Sequence, residues 1–144
     1  MIDLDDTDRA ILRALAEDGR LSAGELGRRL GLSQPAAWRR VRRLQDAGVL
    51  KGVLPEVDRE KLGFGVTVFL GVKLATKGRV SLEDFERAVQ AIPEVQVVQH
   101  VLGLFDYRLR VVARDLADFE TLPGVGNVEA NVLLTEERRP GPLG

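Results

Sequence analysis

Seven basic residues fall between Arg28 and Lys51 (Arg28, Arg29, Arg39, Arg40, Arg42, Arg43, Lys51), with Asp46 as the one acid among them. Guanidinium groups at this density suit a polyanion, since each can neutralise a phosphate or clamp a guanine edge with two hydrogen bonds. Seven positive charges less one negative leave a local excess of six in a chain whose net charge is −1. A stripe of that kind is the electrostatic footprint of a docking face. The alternative is a solvated basic helix with no partner, the ordinary fate of a charge run.

A second group is Gly103, Asp106 and Tyr107. Glycine lets a backbone approach a neighbouring group closely, and a carboxylate accepts hydrogen bonds from a cationic donor. Gly and Asp also occupy tight hairpin turns for purely local reasons. His100 is the only histidine; a strand histidine without carboxylate partners at metal-binding spacing reads as structural. With no cysteine in the chain, disulfides, thiolate catalysis and sulfur-ligated metals drop out. Neither a phosphate-binding glycine loop nor a nucleophile–base motif occurs. The expectation is a non-enzyme with no cofactor and no metal.

The elements that must position these residues begin with three short helical patterns. Asp5 to Glu17 sets Ile11, Leu12 and Leu15 on one face, with acids in its first turn. Ser22-Ala23-Gly24-Glu25 is a capping box, followed by Leu26 and Leu30 before Gly31. Ser33 caps a third helix running to about Ala47, and the connection Gly31-Leu32-Ser33 has helix-turn-helix length. At about 100° per residue, Ala37, Val41 and Leu44 share a narrow stripe that must pack on the first two helices. Pro35, Arg39, Arg42 and Asp46 point away from it, with Trp38 and Arg43 on the flanks; Arg40 lies near the buried edge and reads as mainly structural. Val49–Pro55 is a small β wing or an extended linker, and Asp58–Gly65 a hinge.

Beyond the hinge the period changes to two. Val66–Leu74 is a strand with Val66, Val68, Leu70, Val72 and Leu74 on one side. Ser81 caps a helix with Leu82, Phe85, Val89 and Ile92 at helical spacing, stopped by Pro93. Val95–Leu102 and Tyr107–Ala113 form a hairpin through Gly103–Asp106. A short helix at Asp115–Thr121 leads through Pro123-Gly124 to a last strand near Val128–Leu134. The fold class is therefore α+β: an N-terminal winged helix-turn-helix (1–57), a linker (58–65) and a ferredoxin-like βαββαβ domain (66–139). One sheet face is covered by helices. The other, with Phe69, Val98, Leu102 and Val112, calls for a partner sheet and hence a homodimer.

Length and composition agree with this division. A chain of 144 residues holding two domains makes each one small enough to need support from a partner. The composition, 44% hydrophobic and 30% charged, is that of a globular protein. The apolar run Val66–Leu74 is far short of the roughly 20 residues of a membrane helix. The acidic start, Ile2-Asp3-Leu4-Asp5-Asp6, is neither a secretory signal nor a transit peptide, so the expected location is the cytoplasm.

Leu4–Leu12, Glu17-Asp18-Gly19-Arg20, Gly31-Leu32-Ser33, Arg40–Leu44, Gly48-Val49-Leu50, Lys61-Leu62-Gly63, Gly103–Tyr107 and Leu122-Pro123-Gly124-Val125 occur in this order along nearly the whole chain. In this the sequence resembles the leucine-responsive/asparagine-responsive (Lrp/AsnC) family of prokaryotic transcriptional regulators. The resemblance implies a sequence-specific regulator of double-stranded DNA whose second domain, of the RAM type, binds small effectors, usually amino acids, between subunits. It also implies dimers that assemble further, commonly into octamers. Gly103, Asp106 and Tyr107 are then the effector candidates.

For DNA, the candidates are Ser33, Gln34, Pro35, Trp38, Arg39, Arg42 and Arg43, because a recognition helix presents its N-terminal part to base edges. Gln34 suits adenine, and Arg39 or Arg42 guanine; Arg28, Arg29, Arg43 and Lys51 suit phosphates. Trp38 serves equally well as flank packing or as a groove contact. The sequence departs from the family in its short crossover, 12 residues from Arg114 to Val125. Seven helical and five extended residues span ~27 Å, barely enough to return along a ~23 Å strand, so the second helix must be stunted. Two rival readings are a sirohaem decarboxylase, which resembles this fold but uses several histidines, and a bare dimerisation module without affinity for DNA.

Overall fold

The computed structural model describes residues 2–75, 78–122 and 129–143. These divide into two compact units, Met1–Glu56 with Glu137–Gly144, and Val57–Glu136. Of the expected features, Pro123-Gly124-Val125 and the start of the last strand at Val128 lie outside the described residues.

The first unit holds α1 (Asp6–Glu17), α2 (Ala23–Leu30) and α3 (Gln34–Asp46). Each begins at a side chain that satisfies an orphan helix N–H. Asp5 accepts from the Asp8 backbone at 2.8 Å, Ser22 from Glu25 at 3.2 Å and Ser33 from Ala36 at 3.2 Å. At the first two, Asp8 and Glu25 answer with their own carboxylates and complete capping boxes. Ile11, Ala14, Leu26, Ala37 and Leu44 form the core, with Leu12, Leu15 and Val41 partly buried around it. Fully burying a leucine or isoleucine stabilises by about 1.5–3 kcal/mol, so three such residues dominate the unit.

The turn between α2 and α3 packs tightly on α2. Leu32 donates its backbone N–H to the Gly27 carbonyl at 2.8 Å, and a Cβ on Gly27 would lie 2.5 Å from the Leu32 carbonyl oxygen. Only glycine leaves room for that approach. Gly31, at φ 70°, takes the left-handed conformation that ends α2. Of the two readings of Val49–Pro55, the extended linker is the one seen here, since residues 51–57 carry no strand.

The second unit opens with one 3₁₀ turn, Glu60–Leu62, and continues as β1 (Val66–Val72), α4 (Arg79–Gln90), β2 (Val95–His100), β3 (Tyr107–Ala113), α5 (Leu116–Glu120) and β4 (Glu129–Val132). The sheet order is β2-β3-β1-β4 and every pairing is antiparallel, the ferredoxin-like arrangement. Val68, Leu70, Val72, Tyr107, Leu109, Val111 and Ala113 form the core of the helix-covered face with Val89 and Phe119.

Three details differ from expectation. Ser81 does not cap α4: the helix starts at Arg79 after Gly78, with no side-chain cap. Val98 is not on the second face, because an irregularity between Val95 and Val97 shifts the register and pairs Val98 with Leu109 on the helix side. Leu102 lies past the end of β2 and is fully exposed. Phe69 and Val112 do lie on the side away from the helices, and there the Arg110 guanidinium sits 5.8 Å from the Phe69 ring centre.

Candidate functional site: a basic helix face and a hairpin turn

The face of α3 that the core leaves free carries the chemistry. Ser33, Gln34, Pro35, Arg39 and Arg42 are exposed, as are Arg28 and Arg29 on α2 and Lys51 beyond α3. Trp38 is 57% exposed, so its indole lies on the surface rather than in the core. Arg42 leans on Asp46 one turn later, at 3.4 Å. An exposed pair of that type is worth little and yields readily to a stronger anion.

Arg40 and Arg43 differ from these. Arg40 reaches Asp5 at 2.7 Å and Asp8 at 3.1 Å, and Arg43 reaches Asp8 at 2.9 Å and the Asp3 carbonyl at 2.6 Å. Asp8 itself is buried. The Arg40 guanidinium, helped by the Asp8 backbone N–H, holds the Asp5 carboxyl down at about 2, and Asp5 then Asp8 raise Arg40 in return. Helical period already puts Arg40 near the buried edge as mainly structural, as the cluster bears out; it gives no sign that a buried acid on another helix also holds Arg43.

The hairpin candidates sit at one end of the sheet. Gly103 is exposed in the turn. Asp106 ties the turn to β1: its backbone N–H donates to the Val72 carbonyl at 2.9 Å, and its carboxylate accepts from the Leu74 N–H at 2.8 Å. Tyr107 is fully buried, its ring 4.6 Å from Phe85 and its hydroxyl donating to Glu86 Oε1 at 2.6 Å. Burial, and then the Glu86 carboxylate, push the phenol up to about 12. The His100 ring stacks on Tyr107 at 4.8 Å. So Asp106 and Tyr107 are adjacent, yet Tyr107 faces the core. Glu86 was not recognised in the sequence; its place one residue after Phe85 on α4 was the available signal.

A family described as winged helix-turn-helix DNA-binding matches residues 4–51, and one described as the Lrp/AsnC ligand binding domain matches residues 67–142. The chain is 32% identical to the transcriptional regulator AzlB of Bacillus subtilis over 144 residues, covering 94% of this chain and 92% of that protein. It is 37% identical to the Bkd operon transcriptional regulator of Pseudomonas aeruginosa over 138 residues, 90% of each. Among solved structures it is similar to the regulator NMB0573 of Neisseria meningitidis in complex with L-Met, with TM-score 0.86, 30% identity and coverage of 95% and 94%. It is also similar to B. subtilis LrpC, with TM-score 0.85, 29% identity and coverage of 95% and 99%.

Proposed function

Because this chain belongs to the Lrp/AsnC family of transcriptional regulators, we propose that the outward face of α3 reads its operator and that the turn at Gly103–Tyr107 senses its effector. It is a DNA-binding regulator with a small-molecule-binding domain and not an enzyme, so the decarboxylase reading falls away. The observation that carries the proposal is the division of labour on α3. Ala37 and Leu44 are spent on the core, while Ser33, Gln34, Pro35, Trp38, Arg39 and Arg42 are left to solvent. Arg39 and Arg42 clamp bases; Arg28, Arg29 and Lys51 hold phosphates. Arg43 joins these on phosphates, its side chain 47% exposed even while Nη1 holds Asp8.

Residues 1–57 then act as the DNA-binding module, 58–65 as the linker and 66–139 as the effector and assembly module. The effector is an amino acid. The similar N. meningitidis regulator was solved with L-Met, and the Asp106 carboxylate, which also holds the Leu74 N–H, is the acceptor for an ammonium group beside Gly103, with Tyr107 backing the turn from the core. The protein works in the cytoplasm as a homodimer that assembles into octamers. Support for the dimer comes from the sheet side away from the helices, where Phe69 lies half-buried and Val97 is exposed. No helix among the described residues is long and apolar enough to cross a membrane.

Selection of genomic fragments by the protein, with and without each of the twenty amino acids, tests both halves. A defined fragment set whose occupancy changes with one amino acid is the expected result. Loss of amino-acid binding by calorimetry in Asp106→Ala, with the fold intact, assigns the effector to the turn. Retention of no particular fragment overturns the operator reading.

A further inference from the structure

Trp38 is the only tryptophan of the chain, and it is 57% exposed. Tryptophan is a highly buried residue type on average, so an indole left this open on a helix calls for a covering partner. The aromatic and cation–π contacts among the described residues lie in the other unit, so no ring or guanidinium stacks on it. Gln34 stands four residues before it and Arg42 four after, both exposed, and side chains at that spacing line up along a helix. From Gln34 to Arg42 the helix rises ~12 Å, the length of three to four stacked bases at about 3.4 Å each. The row thus offers an amide, an indole and a guanidinium to neighbouring bases. Arg39 beside the indole and Arg42 one turn on carry charge that suits duplex DNA, whereas an apolar protein surface would strip both of water.

Resting on the reading of α3 as the operator-reading helix, we propose that Trp38 is a specificity residue that selects thymine by covering its C5 methyl. Thymine is the one base that shows a methyl group in the major groove. An indole has a single N–H and no acceptor, so it recognises little through hydrogen bonds, while its carbon face complements a methyl. Trp38 is the fifth residue of α3, within the N-terminal part that a docked recognition helix presents to base edges. This contact is uncharged, so unlike Lys51 it adds nothing to the salt dependence of binding.

Duplexes selected from a random-sequence pool by the wild-type full chain supply the probe. They are then remade with deoxyuridine replacing one thymine at a time, which removes only the methyl. The expected result is a thymine at which this change weakens wild-type binding about fourfold, the worth of one buried methyl. Trp38→Ala should bind both forms alike with an unchanged salt slope, and Trp38→Phe should keep part of the dependence. Trp38 emission should be quenched and shifted to shorter wavelength when the selected duplex is added. The proposal is overturned if no thymine methyl matters to the wild type more than to Trp38→Ala, or if the emission does not change. Arg39→Ala and Arg42→Ala then locate the failure: if they too select the wild-type sites, the reading of α3 has failed with it, and if they do not, only the thymine contact has.

Discussion

The buried carboxylate of Asp8 accepts a hydrogen bond from Arg43 Nη1 at 2.9 Å, across 35 residues of sequence. Arg40 donates to the other oxygen of the same carboxylate at 3.1 Å. The first turn of α1 thus fastens the middle of α3 and fixes the angle at which its outer face is offered. Two arginines counted in the basic stripe are fold elements as the unit stands, while Arg39 and Arg42 remain available.

Asp8→Ala should therefore destabilise the N-terminal unit by about 2–4 kcal/mol, because it leaves two guanidiniums without a shared, charge-assisted partner. Arg43→Ala should also destabilise it, since Asp8 would lose one of those donors. Arg39→Ala and Arg42→Ala should stay within about 0.5 kcal/mol, as substitutions of exposed residues usually do. Urea unfolding of the four variants checks the ordering. Equal stability of Arg43→Ala and Arg39→Ala would show that the cluster is ornamental.

Acid should weaken the same joint. Asp5 is held at about 2, below its ordinary 3.8, chiefly by Arg40. A depressed carboxylate contributes stability that is complete above its unfolded value and lost as pH falls through the folded one. Between about pH 4 and 2, thermal midpoints of the wild type should fall more steeply than those of Asp5→Asn, which has no carboxylate to protonate. Parallel curves in the two proteins would remove Asp5 from the acid response.

Much of this was legible in the sequence because local rules decide it. Ser22 and Ser33 cap helices through bonds to residues three positions away, a spacing that sequence displays, whereas Asp5, taken as the first helical residue, is the cap of α1. The outward face of α3 follows from helical period alone. What escaped depends on pairing over distance. Val98 changed faces because of a register irregularity near Val95 that no alternation pattern records. Tyr107 stands among the effector candidates by resemblance, and strand pairing with β1 turns its ring toward α4, where Glu86 receives its hydroxyl. The missing cap at Gly78 had no alternative signal: Ser81 fits the cap pattern but is the third residue of the helix.

Tyr107 is the sole tyrosine, so tyrosinate absorbance reports on it alone. Its phenol should titrate near 12 in the folded protein against 10.0 for the ordinary group. A raised phenol pKa means that folding favours the protonated form, so this contribution is complete below about 10 and lost as pH rises through 12. Glu86→Gln should lower the midpoint by removing the adjacent negative charge. A folded wild type that titrates near 10 would contradict the burial of this ring. Tyr107→Phe should cost about 1 kcal/mol through the lost hydrogen bond.

The helix-free side of the sheet supplies a prediction about assembly. Val97 is 38% exposed there, and a partner sheet would cover it. Wild-type protein at micromolar concentration should scatter light as a dimer or a multiple of one. Val97→Asp should shift the population toward monomer, since an unpaired carboxylate would have to be desolvated at the joint. A wild type that is monomeric and folded would leave that side without a partner.

The last prediction separates reading from holding on DNA. Arg39 and Arg42 point from the free face of α3, where a docked helix meets base edges; Lys51 lies beyond the helix end, where a duplex presents backbone. A bidentate arginine–guanine contact is worth about 1–3 kcal/mol of discrimination, so Arg39→Ala or Arg42→Ala should narrow the gap between cognate and scrambled DNA by that amount. Lys51→Ala should instead weaken both DNAs alike and reduce the slope of log affinity against log salt by about one unit, the signature of one lost phosphate contact. The experiment is a salt series on both DNAs with all three variants. Arg42 adds an internal control, because its 3.4 Å pair with Asp46 must open on binding: Asp46→Ala should leave specificity intact and tighten binding slightly. If both arginine variants keep full discrimination while Lys51→Ala loses it, α3 is not the reading helix, and the linker after it is.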